Sequence, residues 1–160
     1  MISFVETLTV LAALGSAAAA GTFFSFSTFT MDGLRRLPAS AGAGAMIAIN
    51  REAPKRPLML LLFGTGALCL ALIVNAFFHL EAPGSLLRLG GSALYLVSAV
   101  LLTGLYHVPR NERLDRLDPG SAEGQSYWRI YWQEWVRMNH LRTVGPFAAA
   151  LLLVVSLLTG

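Results

Sequence analysis

A short stretch near the end of the chain holds most of the residues able to do chemistry. His107, Asn111, Trp132, Trp135, Asn139, His140 and Arg142 fall there, together with all three tryptophans, against a background of Leu, Ala, Val, Gly and Phe. Trp135, Asn139 and Arg142 stand at i, i+4 and i+7, so they share one face of a single helix. An indole N–H, an amide and a guanidinium on one face supply several hydrogen-bond donors. In a low-dielectric setting such donors stabilise a developing negative charge more than water does. Each also has an ordinary structural use: Arg142 snorkelling to headgroups, Trp135 in an interfacial aromatic belt, Asn139 bonding a neighbouring helix. The spacing taken alone favours those structural uses.

Metal chemistry has a weaker signature. His107 and His140 are two imidazoles without a carboxylate or cysteine at helical ligand spacing, and the familiar zinc spacings are missing. His79 is expected at the other end of the molecule. The lone Cys69 has no partner for a disulfide or a thiolate cluster. Gly64-Thr65-Gly66 lies inside an apolar run and lacks a phosphate-binding pattern after it. No cofactor is expected, with a metal or haem on His107 and His140 as the remaining reading.

The elements that must position these residues follow from hydropathy. With 160 residues, 55% of them hydrophobic, 13% charged and a mean hydropathy of +0.60, the chain is too apolar for an ordinary soluble domain. A crossing helix needs about 20 mostly apolar residues. Four stretches approach or exceed that, giving an all-α integral membrane four-helix bundle in one domain, with spans near 2–29, 58–80, 86–107 and 139–159. The first is read as a membrane helix rather than a cleaved leader, because its start carries Glu6 and no basic residue. The connections 30–57 and 108–138 hold short extra helices, one over 40–52 and one beginning at Ser121 or Ala122. Pro109 is expected to break the third helix. Only 14 residues follow Pro146, so Asn139, His140 and Arg142 are expected at the headgroup edge or deeper.

Charge sets the expected orientation. Five of the twelve Lys and Arg residues fall between Arg35 and Arg56, six between Arg110 and Arg142, and only Arg88 near the short turn between the second and third spans. By the positive-inside rule both long connections face the cytoplasm and both termini lie outside. A net charge of +3 spread over loops is a topology signal, so nucleic acid is excluded as a partner. The expected partners are a hydrophobic small molecule or lipid and the membrane itself, with self-association left open.

Four pieces carry a family resemblance that covers nearly the whole chain. They are Gly21-Thr22-Phe23-Phe24, Met46-Ile47-Ala48-Ile49-Asn50, Val108-Pro109-Arg110-Asn111-Glu112-Arg113-Leu114, and Trp132-Gln133-Glu134-Trp135 followed by Asn139 and Arg142. The chain resembles bacterial members of the anthrone oxygenase family, small four-helix membrane proteins. It departs from them at Arg56-Pro57, where Asn-Pro is expected. The resemblance implies oxidation of an anthrone to an anthraquinone by molecular oxygen, without a metal or flavin motif, at the bacterial inner membrane. Such a reaction needs a base, for which His107 and His140 are the candidates, with Asn139 and Arg142 as further catalytic groups. Asn50, Asn111, Trp135 and Trp132 are then the substrate-binding residues. The competing reading is a non-enzymatic membrane protein that binds a lipid, quinone or protein partner.

Overall fold

In hydrocarbon a backbone can satisfy its own hydrogen bonds within a single segment only as a helix, and the apolar runs fold accordingly. The computed structural model describes residues 3–159, apart from the side chain of Arg56. Five helices make up its body: α1 (Phe4–Arg35), α2 (Ala39–Glu52), α3 (Pro57–Phe78), α4 (Ser85–Asp115) and α5 (Ala122–Leu157). All but α2 are long and apolar enough to cross a membrane.

Local chemistry sets their ends. Ser3 and Glu6 form a reciprocal capping box at the start of α1. Pro57 opens α3, where its missing N–H costs nothing, and Ser121 accepts the Gly124 N–H at the start of α5. Between α3 and α4 the chain turns at Gly84, whose φ of +72° is the region glycine tolerates best. A side chain there would also strike the Ser156 carbonyl.

The long helices close a ring, α1 on α5, α5 on α4, α4 on α3 and α3 on α1. Lipid gives no hydrophobic drive for helices to meet, so close packing must hold them. Small residues provide it. Gly91 of α4 lies against the Ala149 carbonyl, 3.1 Å from where a Cβ would sit, and Gly145 of α5 against Ser98 of α4. The core of this part is Ala12, Ala19, Leu72, Tyr95, Ala149 and Leu153. A second core of Met31, Met46, Leu114, Trp128, Tyr131 and Trp135 fills one end, where α2 packs across α5 and the close of α4.

Two helices run further than expected, α1 to Arg35 and α4 through Pro109 to Asp115. α5 carries the tryptophans and the fourth span on the one helix that the Trp135, Asn139 and Arg142 spacing requires. The reason at Pro109 is a π turn over Thr103–His107, where Val108 N–H reaches back five residues to the Thr103 carbonyl. This wider register precedes the proline and places it at the opening of a fresh α-helical segment, where proline is tolerated. Further π turns occur at Phe26–Thr30, Leu60–Gly64 and Leu96–Leu101.

Candidate functional site

The end of the bundle built from the tryptophans and α2 contains a mostly apolar cavity of about 120 Å³. Its inner wall is Phe23, Leu62, His107, Trp135 and Arg142, all buried. Its mouth is Asn50, Ala53, Leu58 and Met59, half-buried, with Pro54 exposed. No Asp or Glu lines it.

Arg142 enters this cavity from α5, 7% exposed and in none of the ion pairs among the described residues. Its Nε is buried without a hydrogen-bond partner. The guanidinium carbon lies 3.9 Å from the centre of the Phe23 ring and 5.9 Å from that of Trp135. Aromatic faces attract such a cation but do not neutralise it. The cavity therefore has an uncompensated positive charge in its wall.

His107, on the last turn of the π segment of α4, is 1% exposed. Its ring meets Trp135 edge to face with centroids 4.9 Å apart. The backbone of Met138 approaches the ring, but neither nitrogen has a partner in hydrogen-bond geometry. A buried imidazole with both nitrogens unpartnered has a donor and an acceptor to offer whatever occupies the cavity.

Asn111 is held by a small network. Its Oδ1 accepts from Tyr131 Oη at 2.8 Å and from Trp135 Nε1 at 3.1 Å, while Asn50 Nδ2 donates to Tyr131 Oη at 3.3 Å. An indole N–H only donates, so the atom facing it must be the amide oxygen. The Asn111 NH2 is thus the uncommitted end of a residue that lines the cavity.

His107, Arg142, Asn50, Asn111 and Trp135 come together as the sequence suggested, but three other expected residues do not. Asn139, fully buried, donates from Nδ2 to the Phe23 carbonyl and to Ser27 Oγ, both at 2.8 Å. It ties α5 to α1 beside the π turn and stands outside the cavity lining. His140 is exposed and about 200° around the helix from Arg142, two residues away. It therefore cannot share a ligand with His107 inside the cavity. Trp132 donates to the Met31 carbonyl at 2.9 Å and carries Arg35 over its ring, fixing the end of α1 instead. No three His, Cys, Asp or Glu side chains gather among the described residues.

Tyr131 was not singled out by sequence. Tyr131 is four residues before Trp135 and continues the Trp135, Asn139, Arg142 face by one turn, which is the signal that could have found it. Phe23 and Phe26, from the phenylalanine-rich end of the first apolar stretch, also line the cavity.

The four sequence pieces noted above all reach this cavity, through Thr22 and Phe23, Met46, Ile49 and Asn50, Val108 and Asn111, and Trp135 with Arg142. A family model described as anthrone oxygenase matches residues 57–152. The chain belongs to the anthrone oxygenase family. The matched region holds α3, α4 and most of α5, and so includes His107, Asn111, Trp135 and Arg142. The remaining walls of the cavity come from α1, α2 and the turn after α2. No curated protein and no solved structure matches the chain.

Proposed function

We propose that the protein is a membrane oxygenase that oxidises a hydrophobic aromatic substrate of the anthrone type with molecular oxygen, without a cofactor. The observation that carries this reading is the pairing of a partnerless buried imidazole, His107, with an uncompensated guanidinium, Arg142, in one apolar cavity.

An anthrone carries an acidic CH2 group opposite its carbonyl. His107 takes one of those protons, and the negative charge moves onto the carbonyl oxygen, where Arg142 and the free Asn111 NH2 hold it. The electron-rich anion passes an electron to oxygen, and recombination forms a carbon–oxygen bond. Loss of the second CH2 hydrogen with cleavage of the oxygen–oxygen bond leaves a ketone and water. One substrate CH2 and one O2 thus give one C=O and one H2O.

Size fits part of such a substrate. The cavity, of about 120 Å³, is smaller than the roughly 150 Å³ that takes benzene, so it holds one edge of a tricyclic anthrone and the mouth at Leu58 and Met59 takes the rest. From the distribution of basic residues we place this mouth on the cytoplasmic side of a bacterial inner membrane, with both termini outside.

The test is oxygen uptake by the purified protein with anthrone, with anthraquinone followed by absorbance. Wild type should consume one O2 per anthrone, and His107→Gln should lower turnover about 10²- to 10⁴-fold, the usual range for a lost general base. Wild-type rates no faster than protein-free buffer, with anthrone bound but unchanged, would favour a binding protein instead.

A further inference from the structure

The opposite end of the bundle holds a second cavity, of about 330 Å³, between the start of α1, the turn after α3, the start of α4 and the close of α5. Its buried wall includes Arg88, 8% exposed and in none of the ion pairs among the described residues. The Arg88 Nε is sealed from solvent without a hydrogen-bond partner. Its Nη1 lies 3.1 Å from where a Cβ on Gly84 would sit, so the glycine leaves the room that the guanidinium fills. Burying an unpaired cation is costly, and an anion in the cavity removes that cost.

Glu6 lines the same cavity, at its exposed rim. Its carboxylate accepts the Ser3 N–H at 2.6 Å and forms no ion pair with Arg88. A plain anion on Arg88 would therefore sit near a carboxylate, whereas a ligand carrying both signs answers both groups. Exposed Phe4, Phe77, Phe78, Leu86 and Leu158 mark the same end of the bundle, an apolar surround suited to acyl chains.

We propose that this cavity binds the phosphoethanolamine headgroup of a membrane phospholipid, with the phosphate on Arg88 and the ammonium on Glu6. Guanidinium and phosphate match in charge and in hydrogen-bond geometry. A primary ammonium has N–H groups to give a carboxylate, while the quaternary ammonium of a choline headgroup calls for an aromatic cage. No Phe, Tyr or Trp lines the cavity. The site is independent of the reaction proposed above.

The test uses the full chain in detergent, with thermal unfolding and native mass spectrometry as readouts. Phosphatidylethanolamine, phosphatidylcholine, phosphatidylglycerol and free phosphoethanolamine are added separately. Phosphatidylethanolamine should raise the Tm, remain bound in the spectrometer, and bind roughly tenfold more tightly than phosphatidylcholine. Arg88→Gln should abolish that shift. Glu6→Gln, at an exposed position, should keep binding but lose the preference over phosphatidylglycerol, and it decides the question if Arg88→Gln does not fold. Equal binding of the ethanolamine and choline lipids, or a wild-type preference for phosphatidylglycerol, would overturn the proposal. An equal shift from free phosphoethanolamine at the same concentration would overturn the lipid assignment.

Discussion

Replacing Arg142 with Met should separate activity from stability. The guanidinium is buried with no carboxylate in its cavity. Its visible compensation is the ring of Phe23 at 3.9 Å, with Trp135 more distant at 5.9 Å. A desolvated cation–π contact returns about 2 kcal/mol, while burying the ion costs several kcal/mol even after relaxation. Methionine fills similar length without a charge, so Arg142→Met should leave stability unchanged or raise it by about 1–4 kcal/mol, as replacing buried ionic groups often does. Activity should move the other way. Losing one donor aimed at a developing oxyanion lowers kcat about 10²- to 10³-fold, or roughly 2.7–4 kcal/mol of barrier. The assay pairs oxygen uptake with anthrone, expressed per folded molecule, with reversible unfolding of the same sample. A variant destabilised by more than about 2 kcal/mol that keeps its turnover per folded molecule would refute the reasoning, because Arg142 would then be a packing residue.

Neighbouring positions give contrasting expectations. Asn139→Leu removes the amide donor to the Phe23 carbonyl and the Ser27 hydroxyl, which keep the Phe26 N–H and the Thr143 hydroxyl as partners; losing the two bonds should cost about 1–3 kcal/mol in unfolding, with turnover per folded molecule retained. Tyr131→Phe removes one of the two donors that fix Asn111, and kinetics should show kcat/KM lower by about 0.5–1.5 kcal/mol of transition-state stabilisation. His140→Ala, at an exposed position, should change neither stability nor turnover by more than about 0.5 kcal/mol. Together with His107→Gln, these variants distinguish the two histidines by activity measured on folded protein.

Hydropathy made the four apolar helices legible, because a membrane-spanning backbone has few alternatives and the apolar runs have the required length. Helical spacing also placed Trp135, Asn139 and Arg142 on one face. It could not say what that face would meet. Seven residues of α-helix rise about 10 Å, long enough for the middle of the stripe to touch one neighbour while its ends line a cavity. Asn139 falls at the middle and meets the backbone of α1, whereas Trp135 and Arg142 reach the cavity. The choice between His107 and His140 was hidden for a different reason. Pro109 read as the end of α4, and nothing in the residue pattern marks the π turn that carries the helix past it.

Those π turns connect the tight part of the bundle to the open part. Where Gly91 and Gly145 bring α4 and α5 close, the helices leave little space between them. At the level of the cavity α1, α3 and α4 each take a π turn, and Phe26, Leu62, Thr103 and His107 on those turns are all lining residues. One extra residue in a turn swings everything after it by about 100° relative to an uninterrupted α-helix. His107 ends such a turn, so its direction into the cavity depends on the local register as well as on its place in the sequence. Asn139 takes up the Phe23 carbonyl next to the turn in α1, supporting the irregular backbone without lining the space it opens. The substitution-sensitive residues around this site therefore divide by what they hold. Asn139 and Trp132 maintain the bent framework through backbone carbonyls, while His107, Asn111 and Arg142 keep polar atoms available to a bound molecule. A family resemblance based on residue identity groups Asn111, Trp132, Asn139 and Arg142 together; their hydrogen-bond partners separate them.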